Sequence, residues 1–343
     1  MHAAASKTYY RHRPILNISL IMGLMFVFVG CHINDDDDDY RNSSNQNANT
    51  ALTGTSPATQ SNGQVITVGT IQAVTEDATN ITEAASRMEI PRLTGGQDNL
   101  FIVHTVPVYG VNYCMEWNYT LRSQRWSAFR WDKTNSVGYT GRTETWAEDP
   151  LIPAQYRSTL ADHSANGFDR GHIVGSADRQ MSEEANNQTY YMSNIQPQLS
   201  GFNSRKNGNC GYSIWYNLEN RLRNTYNLNS FRDTLYVVKG GTIDQGNYSW
   251  AQGRGQRLPV PDYFFMALLR KRNDISLNGG YAAIGFYMEH KENTSSVNDT
   301  NFEKYAVSID RLEELTQIDF FCNLPDNIER AVESSYSSVV WLR

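Results

Sequence analysis

Tyr113-Cys114-Met115-Glu116-Trp117-Asn118-Tyr119 and Arg125-Trp126-Ser127-Ala128-Phe129-Arg130-Trp131 flank the stretch Thr120-Leu121-Arg122-Ser123-Gln124. Two runs rich in aromatic residues, separated by five residues, read as antiparallel strands joined by a turn. Upstream, Leu100-Phe101-Ile102-Val103 is a short apolar run, and Val65-Ile66-Thr67-Val68 is a possible strand within otherwise polar sequence. Downstream, residues 234–238, 263–269 and 281–288 are further strand candidates, whereas 214–224 and 309–315 have helical patterning. Strands outnumber helices and do not alternate regularly with them. The expected class is therefore α+β, with a mainly antiparallel central β-sheet and flanking helices, rather than a doubly wound parallel fold.

Of the 343 residues, 40% are hydrophobic and 12% aromatic. That supply of apolar surface supports a sizeable core and excludes a chain disordered throughout. The net charge of −6 argues superficially against a polyanionic ligand. Its distribution reverses the argument: residues 121–272 hold 19 Lys and Arg against 13 Asp and Glu, so the acidic excess lies outside the middle of the chain. The middle can attract phosphate.

Lys7, Arg11, His12 and Arg13 precede an apolar run, residues 15–29, that ends at Gly30-Cys31. This pattern reads as a secretory signal rather than a full membrane span. Phe28-Val29-Gly30-Cys31 resembles a bacterial lipobox, with Phe28 in place of the usual Leu, and implies lipid attachment at Cys31; an ordinary signal peptide or an uncleaved anchor is the alternative. The acidic run at residues 35–39 resembles the surface-export signal of lipoproteins from the Bacteroides group. The expected organisation is a leader over 1–31, a flexible Ser/Thr/Asn-rich tether over 32–90, and one domain over 91–343, exported and lipid-anchored to the outer membrane or cell surface of a Bacteroides-type bacterium. Cys114, Cys210 and Cys322 permit one disulfide in such a compartment, in any of three pairings, and their spacing gives no zinc motif.

The chemistry concentrates in one stretch. It holds Asp169-Arg170-Gly171-His172, then Tyr190-Tyr191-Met192-Ser193-Asn194-Ile195-Gln196-Pro197-Gln198, Phe202-Asn203, Trp215-Tyr216-Asn217-Leu218-Glu219 and Arg223. Phosphodiester hydrolysis needs a base for water, cations for developing charge and usually a metal near the leaving oxygen. Histidine suits the base because its unperturbed pKa of ~6.5 leaves it largely neutral at working pH. Arg170 is a permanent cation, and Gly171 permits close backbone approach. Trp215, Glu219 and Arg223 recur at four-residue spacing and so share a helix face. Singly, each has an ordinary explanation: a surface His, a strand-end ion pair, a solvated Glu–Arg pair, or an Asn that caps a turn. Only the ordered combination points to a site.

In that order the segment closely resembles the DNA/RNA non-specific endonuclease family, ββα-metal (His-Me finger) nucleases that carry the Asp-Arg-Gly-His motif. The likeness extends to Gly141-Arg142-Thr143-Glu144-Thr145-Trp146, Asp149-Pro150, Tyr236-Val237-Val238-Lys239-Gly240, Val260-Pro261-Asp262-Tyr263-Phe264 and residues 312–321, covering roughly 99–333. The resemblance implies hydrolysis of DNA and RNA without sequence preference. It makes His172 the general base and Asn203 the single protein ligand of Mg²⁺, with Mn²⁺ or another divalent ion as alternatives. Glu219 would orient the ion's waters, and Arg142 would contact the scissile phosphate. Arg170 and Arg223 would hold phosphate or brace the site. Asp169 would be a structural partner, and Asn194 would fix the loop around His172. Two departures stand out. Eleven residues separate Asn203 from Trp215, leaving Asn209 as a second candidate ligand, although Phe202 before Asn203 favours Asn203. Tyr190 stands where some members carry Asn. Arg205 and Lys206 in the insert are candidate nucleic-acid contacts. The competing readings are a sugar-selective nuclease or other phosphodiesterase, and a catalytically silent surface lipoprotein that acts as a binding module.

Overall fold

The computed structural model describes residues 48–53, 61–244 and 246–343. The expected leader, Cys31 and the acidic run lie outside them. Among the described residues no helix is long and apolar enough to cross a membrane.

The strands in chain order are β1 Ile66–Val68, β2 Ile71–Thr75, β3 Asn99–Val106, β4 Gly110–Asn118, β5 Ser123–Trp131, β6 Asp169–His172, β7 Ile195–Gln198, β8 Thr234–Gly241, β9 Tyr248–Gln252, β10 Arg257–Pro261, β11 Tyr263–Lys271, β12 Tyr281–Glu289 and β13 Ala306–Val307. Nine of them form one sheet in the order β1-β2-β3-β4-β5-β8-β11-β12-β13. Its neighbours are antiparallel except for β2 beside β3. The α+β expectation holds, and the hairpin predicted from the aromatic runs is β4–β5.

Both faces of the sheet are covered, which is why β11 reads as an unbroken apolar run. Phe264, Met266 and Leu268 face one core together with Trp215, Leu218 and Trp341. Phe265, Ala267 and Leu269 face a second core with Ile309, Leu312, Phe320 and Val332. The period-2 alternation of a strand thus assigns each side chain to one layer. The helix Ile214–Arg221 lies on the first face, and the helices Ile309–Thr316 and Asp326–Glu333 on the second.

Two expectations need correction. The polar stretch read as a tether up to residue 90 is partly built into the domain. β1 and β2 extend the sheet, and Ile71, Ala73 and Val74 are buried. Asn49, with no solvent exposure, donates through Nδ2 to the carbonyls of Ala85 and Pro91 and accepts from the Leu93 N–H. Short apolar stretches that enter the second core, together with hydrogen bonds from a buried amide, hold this segment. The disulfide that the cysteines permit is absent among the described residues. Cys114 and Cys210 are free thiols, which leaves none of the three pairings. Cys114 is buried in the middle of β4, whereas Cys210 lies on the loop after Asn203.

Candidate active site

β6 and β7 pair outside the large sheet, with Asp169 opposite Gln198, Arg170 opposite Pro197, Gly171 opposite Gln196 and His172 opposite Ile195. The short turn Ser200–Asn203 and the helix Ile214–Arg221 follow, completing a ββα unit. Strand alternation puts Arg170 and His172 on one side of the ribbon, and both line a cleft of about 260 Å³. Arg142, Trp146, Asn203, Tyr216, Glu219 and Arg223 line it with them. Gly171 is required because a Cβ there would lie 2.2 Å from the Gln198 side chain.

His172 is held on three sides. Its ring packs edge-on to Tyr190 at 5.0 Å and against Trp146 at 5.3 Å. Asn194 pins the chain just beyond it: Oδ1 accepts from the Val174 N–H, while Nδ2 donates to the Val174 and Thr189 carbonyls. Its Nε2 is buried with no hydrogen-bond partner among the described residues. Burial, then the positive charges of Arg142 and Lys239, hold the imidazole down to about 3. It is therefore neutral, and able to accept a proton, throughout the ordinary pH range.

Asn203 lies on the Ser200–Asn203 turn, which is fixed from several directions. The Leu199 N–H donates to His290 Nε2, and the Gly201 N–H donates to Glu292 Oε2. Asp169 accepts from Ser200 Oγ at 2.9 Å and from Asn203 Nδ2 at 3.3 Å. Asp169 is thus a positioning residue that turns the Asn203 amide so that its oxygen remains available. Asn209, the alternative ligand, is exposed and does not line the cleft. The cleft's His and carboxylate side chains do not gather into a three-ligand cage among the described residues. A single neutral amide oxygen beside Glu219 fits an ion that keeps most of its hydration shell, as Mg²⁺ does.

Behind the cleft lies a charge network that the sequence reading missed. Lys239 is fully buried on β8, 2.5 Å from Glu219 Oε1, 3.8 Å from Asp178 Oδ2 and 4.9 Å from the Trp215 ring centre. Asp178 also accepts from Arg223 at 2.9 Å, so Arg223 braces the site. A Lys directly after the apolar run 235–238, on the same strand, is the signal that could have shown it; nothing in the sequence marks Asp178. The predicted 214–224 helix becomes α-helical over Ile214–Arg221 and π-helical over Leu222–Tyr226, and Arg223 lies in that wider turn. Trp215, Glu219 and Arg223 still converge on Lys239 and Asp178.

At the rim, Arg142 is mostly exposed, 3.7 Å from Glu144, and Arg170 stacks 5.0 Å above Trp146. The insert after Asn203 adds a further feature. Arg205 stands 3.8 Å over the Tyr212 ring, which stacks on the cleft residue Tyr216 at 4.0 Å.

The profile of the DNA/RNA non-specific endonuclease family matches residues 99–327. The chain belongs to that family. By family, this nuclease is a hydrolase acting on nucleic acids. It is 30% identical to a nuclease of Nostoc sp. over 225 residues, which cover 65% of this chain and 75% of that protein. Human mitochondrial endonuclease G is 28% identical over 184 residues, covering 52% of this chain and 56% of that protein. A chain in the crystal structure of the EndoG/EndoGI complex superposes on the nuclease with a TM-score of 0.51 at 19% identity, covering 62% of this chain and 84% of that one. That last likeness bears on the fold alone. The nuclease thus spans three quarters of the Nostoc protein and little more than half of the human one.

Proposed function

We propose that the chain is a divalent-metal-dependent endonuclease that cuts DNA and RNA without sequence preference, with His172 as general base. The observation that carries this reading is that His172 and the Asp169-oriented Asn203 amide line one cationic cleft. The neutral His172 imidazole takes the proton from the attacking water. Arg142 and Arg170 meet the phosphate and offset the negative charge that grows in the transition state. Asn203 would hold a Mg²⁺-type ion, with Glu219 orienting its waters, and that ion would supply charge neutralisation for the reacting phosphate. Lys239, Asp178 and Arg223 keep Glu219 in position. These groups address phosphate and water rather than base edges, so they carry no sequence information. The Arg205–Tyr212–Tyr216 stack offers the departing strand a cation and an aromatic face. The N-terminal pattern supports an exported, lipid-anchored enzyme acting on nucleic acid outside the cell.

The test is side-by-side digestion of plasmid, single-stranded DNA and RNA by the purified protein. All three are expected to be cut with Mg²⁺ and none after EDTA, and Asn203→Ala is expected to lose most of the metal-dependent rate. Metal-independent cutting, or strict selection of one sugar, would overturn this reading.

A further inference from the structure

Three carboxylates converge on the face of the sheet opposite the cleft. Asp310 and Glu313 lie one turn apart on the helix Ile309–Thr316, and Glu333 ends the helix Asp326–Glu333. One oxygen from each lies within 4.8 Å of the others. Asp310 is exposed and Glu313 half-buried, whereas Glu333 is only 6% exposed. Glu333 Oε1 is buried and has no hydrogen-bond partner among the described residues. A buried carboxylate without a partner is costly, and proteins resolve it with a proton, a cation or a metal. Four other carboxylates act on Glu333: Glu313, Glu329, Asp319 and Asp310. Burial, then these neighbours, push Glu333 up to about 10, and burial pushes Glu313 up to about 8. The Phe320 N–H fixes Glu313 by donating to its Oε1 at 2.8 Å.

We propose that Asp310, Glu313 and Glu333 form a second divalent-cation site, of Ca²⁺ type, that clamps the two helices together. The donor chemistry favours this ion: three carboxylates offer hard oxygen ligands only, which suit Ca²⁺ and its flexible coordination. Exposed Asp310 leaves an open side for waters to complete its coordination. This site is separate from the cleft and does not depend on the nuclease reading.

The experiment is thermal unfolding of the whole protein, stripped of metal, with and without millimolar Ca²⁺ at neutral pH. The expected result is a rise in Tm of about 5 °C, given binding well above Kd. Glu333→Gln and Glu313→Gln are expected to lose that rise, and Asn203→Ala to keep it. Without metal, Glu333→Gln is expected to be about as stable as the parent, because the carboxyl that it replaces is protonated at neutral pH. Two results would overturn the proposal: no rise in the parent, which would assign the cluster to shared protons, or a rise that survives Glu333→Gln.

Discussion

Two histidines of this molecule have opposite surroundings. His104, on β3, has both ring nitrogens occupied: Nδ1 meets Glu76 at 2.7 Å and Nε2 meets Asp149 at 3.1 Å. Burial alone would lower its pKa, but Asp149 and then Glu76 lift it to about 10, so it is a cation locked between anions. His172 faces Arg142 and Lys239, keeps Nε2 free and is held down to about 3. The same side chain is a structural cation in one place and a proton acceptor in the other. The difference lies in the sign of the neighbouring charge and in whether a lone pair is left unused. Consecutive residues serve the two regions: Ser193 donates to Asp149 at 2.5 Å, while Asn194 holds the chain beside His172.

The sharpest way to break the comparison is to remove each ring in turn. His172→Ala is expected to lower cleavage by about 10²- to 10⁴-fold while the protein still unfolds cooperatively. His104→Ala should leave the chemistry in place but cost about 3–5 kcal/mol in denaturant unfolding, because it strands two carboxylates. Parental cutting by His172→Ala would remove it from the role of base. A smaller effect concerns pH. With His172 held near 3, below the ordinary ~6.5, the imidazole remains the free base as pH falls through neutrality. The acid limb of kcat/KM should therefore lie well below pH 6.5, and Lys239→Met should move it upward by removing a repelling cation. A limb at the ordinary imidazole position in the parent would contradict the cationic setting. The smallest effect is at the rim. Arg205→Ala is expected to weaken nucleic-acid binding a few-fold and to reduce the salt slope by about 1, measured as log Kd against log salt.

Some of this was legible in the residues and some was not. β4, β5, β8, β11 and β12 announce themselves because aromatic and aliphatic runs fill two cores at once. β6 and β7 do not, because Asp169-Arg170-Gly171-His172 forms a small polar ribbon whose side chains serve a cleft rather than a core. The candidate site residues could be found by their order, and the structure brings His172, Arg142, Arg170, Asn203, Glu219 and Arg223 to one cleft. Asp169 and Asn194 stand behind it, as supports. What the sequence withheld was tertiary: Lys239 and Asp178 come from distant segments, and their partnership exists only after β8 passes beneath the helix Ile214–Arg221. Asn49 was hidden for the same reason, since a long-range hydrogen bond leaves no periodic trace.

The parallel pairing of β2 with β3 has a practical consequence for anyone shortening this chain. A fragment begun at residue 91 would strip the cover from β3 and leave its amides and carbonyls unmatched along a long, apolar border. Such a border invites strands from other molecules, and clumping of that fragment would say nothing about the enzyme's own solubility.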